Sequence, residues 1–164
     1  MGIILILIVI ALFLYIGIKG LKKKNAAIKE GAYVKSQLIN NIKYTCGHPN
    51  INKPEIMMLG IKTDGIHIMS LFGKERAVIP DANIKNISIE DASTIQRRPT
   101  VVRFLALGIL AFAWQKKKKD EQAYLVIEWN DGRFDHDTIF EYTGIGSTQK
   151  ANEARNKIIK QLTK

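Results

Sequence analysis

Residues 55–70 read EIMMLGIKTDGIHIMS. Two apolar runs, Ile56–Ile61 and Ile66–Phe72, are joined across Asp64-Gly65, a dipeptide that readily supplies the positive φ angles of a tight turn. The stretch therefore predicts a β-hairpin, and the pattern continues downstream. Leu71-Phe72-Gly73-Lys74 makes a second turn into Glu75–Ile79, Pro80 ends that strand because it offers no backbone donor, and Ile84, Ile87 and Ile89 mark a fourth short strand. Tyr124–Trp129 and Phe134–Tyr142 form another pair around Asn130-Asp131-Gly132. The chain closes with a helix: Gly144–Thr148 supply its leading turn, and Ala151, Ala154, Ile158 and Leu162 line one face at three- and four-residue steps. This order predicts a mainly β fold with a C-terminal helix, built as a small, strongly bent antiparallel sheet or open barrel whose end or edge the helix covers.

The chain has 164 residues, room for one domain of ordinary size. Its 46% hydrophobic and 24% charged content excludes both disorder and uniform membrane embedding, so a membrane signal has to be local. From Met1 to Ile18 there is no charged side chain, and as a helix this stretch is roughly 27 Å long, nearly the thickness of a bilayer core. Lys19, Lys22, Lys23 and Lys24 follow as a basic flank that stays on the cytoplasmic side. Residues 1–21 are thus expected to be a single-pass transmembrane anchor, N-terminus out. A cleaved signal peptide would want basic residues before the apolar core and a small-residue cleavage site close behind it, whereas Ala26-Ala27 lies beyond the lysines. Residues 22–43, with Ile28, Val34, Leu38, Ile39 and Ile42 at a loose helical period, read as a basic, helical, polar stalk, and 44–164 as the folded domain.

The Gly47-His48-Pro49 turn, the meander from Glu55 to Asp91, the Arg97-Arg98-Pro99-Thr100 approach to an apolar stretch, the Lys116–Lys119 run, the Tyr124–Glu128 strand and the last helix come in a familiar order. Together they resemble the bacterial PH-like (GRAM-like) domain proteins, over about residues 44–163. The resemblance lies in pattern order and not in an invariant catalytic motif. It implies a PH-like superfold, whose members bind phosphoinositides, other lipids, peptides or nothing known. Together with the anchor and its basic flank, it leads to the expectation of a bacterial plasma-membrane protein with the domain in the cytoplasm.

A second uncharged stretch, Phe104–Trp114, lies in an apolar insertion at 101–114 and would extend only about 16 Å as a helix, too short to span a bilayer. Arg97, Arg98 and Arg103 precede it and Lys116, Lys117, Lys118 and Lys119 follow it, so both ends prefer the same anionic face. Two readings stand. The stretch is a buried element of the domain, with Gly108 and the alanines allowing close packing and the lysines forming a solvated loop. Alternatively, Phe104, Leu107, Leu110, Phe112 and Trp114 dip into the cytoplasmic leaflet while the basic flanks hold headgroup phosphates. The net charge of +10, from 25 Lys and Arg against 15 Asp and Glu, calls for an anionic partner. Anionic phospholipid fits first because the lysines adjoin apolar segments. An accessory-subunit role with 104–114 as the protein contact comes second, and a tethered nucleic-acid binder third.

Catalytic chemistry is not indicated. His48, His67 and His136 show no metal-ligand spacing, and Cys46, the one cysteine, excludes a disulfide framework or cysteine-based zinc cluster within one copy. Asp135-His136-Asp137 would place its aspartates on the strand face opposite the histidine, as an exposed edge. Gly144-Ile145-Gly146-Ser147 with Lys150 reads as a helix-capping turn before it reads as a phosphate cradle, because the Gly-Lys-Ser/Thr ending of a nucleotide loop is missing. The sequence predicts a non-catalytic chain without metal or cofactor.

Overall fold

The computed structural model describes residues 10, 12–15, 18–19, 37–108 and 121–163. The first hairpin forms as expected: β2 (Glu55–Lys62) and β3 (Gly65–Ser70) pair antiparallel, with Ile61 opposite Ile66 and Lys62 opposite Gly65. Its turn is Thr63-Asp64, one residue earlier than the sequence suggests. Gly65 instead opens β3 at φ +146°, where a Cβ would stand 2.2 Å from the Ile79 carbonyl oxygen. Glycine is needed there because the neighbouring strand passes too close for any side chain.

That neighbour is β4 (Glu75–Pro80), followed by a 3-10 turn (Asp81–Asn83), β5 (Ile84–Glu90), α1 (Ala92–Ile95), α2 (Pro99–Ala106), β6 (Gln122–Asn130), β7 (Asp135–Thr143) and α3 (Ser147–Leu162). With β1 (Leu38–Cys46) they make one seven-stranded antiparallel sheet in the order β4-β3-β2-β1-β7-β6-β5. Alternation sets the two faces. Met57, Leu59 and Ile61 of β2 and Ile66 and Ile68 of β3 enter the inner core, while Met58 and Met69 join Leu38 in a separate small cluster. Ala77 and Ile79 from edge strand β4 share the inner core with Ile87 from the opposite edge strand β5, so the sheet curls until its two ends pack on one interior.

Helix α3 fills that interior through Ala154 and Ile158, with Leu162 packed against it, on the face the sequence marks. Each fully buried Ile contributes roughly 1.5–3 kcal/mol, which is what holds the curled, open sheet around its core. Arg155 Nε donates to the Ile87 carbonyl at 2.7 Å, satisfying part of an open edge from the side. On the other face of β1, β6 and β7, Cys46, Tyr124, Val126 and Ile139 form an outer cluster covered by Ile95 of α1 and Val101 of α2.

Strand β1 departs from the expected helical stalk. Residues 38–46 pair with both β2 and β7, so the folded domain begins before residue 44. The misleading signal is a β-bulge: the register shifts between Ile39 and Ile42, with Asn41 in the left-handed region at φ 55°. The extra residue returns Ile39 and Ile42 to the same core three positions apart, a spacing that imitates one helical turn. A second shift, between Tyr44 and Cys46, sends Tyr44 inward and Cys46 to the outer cluster.

Most of the expected anchor and stalk, including Lys22, Lys23 and Lys24, lies outside the described residues. Residues 10, 12–15 and 18–19 are helical, and Lys19 Nζ sits 5.9 Å from the centre of the Tyr15 ring. Among the described residues no helix is long and apolar enough to cross a membrane.

Candidate functional site

The described part of the apolar insertion, 101–108, is helix α2 and the turn after it. Pro99 starts the helix, where a missing N–H costs nothing, and Arg98 before it is extended. Val101 is fully buried, and Phe104 and Leu105 are half-buried against the outer cluster. The opposite side of the same helix carries Val102 and Leu107, 51% and 67% exposed, with exposed Arg103 between them and exposed Arg97 just upstream. The start of the stretch is therefore core on one side and an apolar, basic surface on the other. Trp114, Lys116, Lys117, Lys118 and Lys119 lie outside the described residues.

Arg98 behaves differently from its neighbours. Its Nε donates to Glu90 Oε2 at 2.9 Å, one Nη2 hydrogen bond goes to the other Glu90 oxygen, and Nη2 also reaches Glu128 Oε1 at 2.7 Å. Nη1 stands 3.1 Å from Asp137 Oδ1, and Thr100 Oγ1 donates to the second Asp137 oxygen at 3.1 Å. One guanidinium thus ties the loop before α2 to β5, β6 and β7. Glu90 first, and Glu128 after it, raise the Arg98 pKa above its ordinary value. The sequence groups Arg98 with Arg97 and Arg103 as a membrane-facing cation; its charge is instead turned inward, to three carboxylates that sequence distance conceals.

Beside α2 lies a cavity of about 260 Å³, lined by His48, Ile51, Thr100, Arg103, Phe104 and His136. The two lining histidines both pack on Trp129 behind them. The Trp129 ring meets His48 at a centroid distance of 5.1 Å and His136 at 4.7 Å, and the indole N–H donates to Thr138 Oγ1 at 2.9 Å. The turn carrying His48 is fastened by Tyr44, whose hydroxyl accepts from the His48 N–H at 2.9 Å and donates to the Ile51 carbonyl at 3.0 Å. It is also fastened by Gly47 at φ +102°, where a Cβ would fall 1.7 Å from the Asp137 carbonyl oxygen.

His48 Nδ1 accepts from the Asn50 N–H at 3.2 Å, and burial pushes the ring's pKa down to about 4, so it stays neutral at physiological pH. His136 Nε2 sits 2.8 Å from Asp131 Oδ2, and this hydrogen bond, ahead of the Phe134 and Arg133 amides, holds Asp131 at about 2. Asp135 and Asp137 point away from His136, as strand alternation requires, to Lys85 and to the Arg98 cluster. β7 lies between β1 and β6 in the sheet, but β1 pairs with it only at Ile139–Glu141, so the trio itself is paired to β6 alone.

The Cys46 thiol is 1% exposed, and burial, with the charge of Asp137 adding, pushes its pKa up to about 12, which denies it thiolate chemistry. Among the described residues no group of three or more His, Cys, Asp or Glu side chains could hold a metal ion. The start of α3 is occupied by Glu121, which accepts from the Gly146 N–H at 3.1 Å and from Thr148 Oγ1 at 3.4 Å. A carboxylate already takes the place a phosphate would need there. No protein-family model matches the chain, and no curated protein matches it.

Proposed function

We propose that this chain is a membrane-anchored, non-catalytic binding module of PH-like fold, which lays α2 and the apolar stretch after it against anionic lipid headgroups. In this reading residues 1–21 cross the plasma membrane of a bacterium with the N-terminus out, Lys19, Lys22, Lys23 and Lys24 fix that topology, and the domain sits in the cytoplasm. The observation that carries the reading is the outward side of α2, where Val102 and Leu107 flank Arg103 on a helix whose other side is already buried. Apolar side chains that a helix leaves in water beside arginines suit the boundary of a bilayer, where each basic residue contributes about 1 kcal/mol.

Two further observations support it. The N-terminal residues Ile10, Leu12, Phe13, Leu14 and Ile18 are helical and each at least half exposed, an arrangement that favours an apolar solvent. The curled antiparallel sheet closed by a terminal helix is compatible with the PH-like fold. The surface set is Arg97, Arg103, Phe104, Trp114 and Lys116–Lys119; Arg98 is left out because its charge is satisfied within the domain.

Co-sedimentation of residues 37–164, which keep β1 whole, with phosphatidylglycerol vesicles tests the reading. Binding is expected at low salt, weaker binding at high salt, none to phosphatidylcholine, and loss in Val102→Glu/Leu107→Glu. An absence of sedimentation at every salt concentration would overturn it and move the search to a protein partner at 104–114.

A further inference from the structure

β1 and β7 pair only from Lys43, opposite Glu141, to Cys46. Upstream, the Asn40-Asn41 bulge carries β1 away from Tyr142 and Thr143, which continue to pair with β6. Two cavities lie where the strands part, of about 460 Å³ and about 180 Å³, and Tyr142 and Lys150 border both. Lys43 lines the larger and Lys157 the smaller.

The charges in this gap do not balance. Lys43 Nζ is paired with buried Glu141 at 2.6 Å. Among the described residues, Lys150 and Lys157 donate to backbone carbonyls and to no carboxylate: Lys150 to Ile145 at 3.2 Å and Lys157 to Leu38 at 2.6 Å, bonds that neutralise neither ammonium and leave each spare donors. The opposing carboxylate at the smaller cavity is Glu153, which accepts from Gln149 at 3.0 Å. Tyr142 borders both cavities, and its buried hydroxyl has no hydrogen-bond partner among the described residues; burial raises its pKa, so it keeps its proton. An orphaned buried hydroxyl is costly and asks for an acceptor.

We propose that the gap between β1, β7 and α3 binds a phosphate group, with Lys150 and Lys157 as its counter-charges and the Tyr142 hydroxyl as a donor. It is separate from the start of α3, which Glu121 occupies, and from the cavity beside α2, which lies at the other end of β1. Lys157 holds Leu38, where the chain arrives from its N-terminal segment, so the gap is at the tethered end of the domain. The phosphate belongs either to a lipid headgroup or to a soluble phosphate compound; the lipid source rests on the anchored reading above, and the site itself does not.

The test uses the full chain in neutral-detergent micelles, with inorganic phosphate as the probe and chloride at matched ionic strength as control. Amide NMR shifts of Asn41, Tyr142 and Lys150 are expected to saturate with phosphate. Lys150→Gln and Tyr142→Phe should each weaken binding about tenfold, the scale of one charge-assisted hydrogen bond, and Lys150→Arg should retain it. Absence of a saturable shift, or wild-type binding by both weakening variants, would overturn the proposal; Lys157→Gln replaces any variant whose melting shows a lost fold. Nanodiscs containing phosphatidic acid then separate the sources: competition with phosphate assigns the lipid headgroup, and undiminished phosphate binding assigns the soluble compound. Because the phosphate titration needs no bilayer, it can succeed where vesicle sedimentation fails.

Discussion

Replacing Arg98 with Ala removes a single cation from a cluster of three carboxylates. The side chains of Glu90, Asp137 and Glu128 are 12%, 21% and 31% exposed, and Arg98 itself is 18% exposed, so the cluster is intermediate between a surface pair and a buried one. Surface pairs contribute about 0–1 kcal/mol and breaking a buried pair costs about 3–5, which places this loss at about 2–3 kcal/mol. For a domain of this size that corresponds to a fall in melting temperature of about 10 °C. The assay is thermal unfolding of the full chain in neutral detergent, followed by near-ultraviolet circular dichroism. Without the guanidinium the three carboxylates repel one another, so adding Glu90→Gln to Arg98→Ala should recover part of the loss. A change below about 1 kcal/mol, or no recovery in the double variant, would refute the assignment of Arg98 as the clasp across β5, β6 and β7.

Gly47→Ala should prevent normal docking of β1 on β7, because its Cβ would fall within 1.7 Å of the Asp137 carbonyl oxygen; loss of the cooperative melt checks this. At Asn41, held at φ 55°, Gly should be tolerated within a few tenths of a kcal/mol, whereas Val should cost about 1–2 kcal/mol in urea unfolding. His48 has a folded pKa of about 4 against 6.5 when unfolded, so its contribution is complete above pH 6.5 and is lost as pH falls through 4, amounting to about 3 kcal/mol. Comparing the stability–pH slope of wild type with His48→Gln over that window should show the difference, and identical slopes would count against it.

What was legible in the sequence was whatever depends on local periodicity. The β2–β3 and β6–β7 hairpins, the strand ended by Pro80 and the buried face of α3 each follow from alternation, turn chemistry and three- and four-residue steps within one element. Period alone could not place β1, since one extra residue at Asn40-Asn41 turns a strand's spacing into a helix's. Nor could it divide α2 into a buried and an exposed side, because Val101 and Val102 are chemically alike and differ only in which of them faces Tyr124 and Ile139. The three arginines likewise look equivalent along the chain. Only the curl of the sheet brings Glu90, Glu128 and Asp137 to Arg98, His48 and His136 to Trp129, and Lys150, Lys157 and Tyr142 to one cavity. Local spacing sets which face of an element is apolar, a short-range property of the backbone. Which charges meet across the sheet is fixed by register and curvature, and these depend on contacts between residues far apart in the chain.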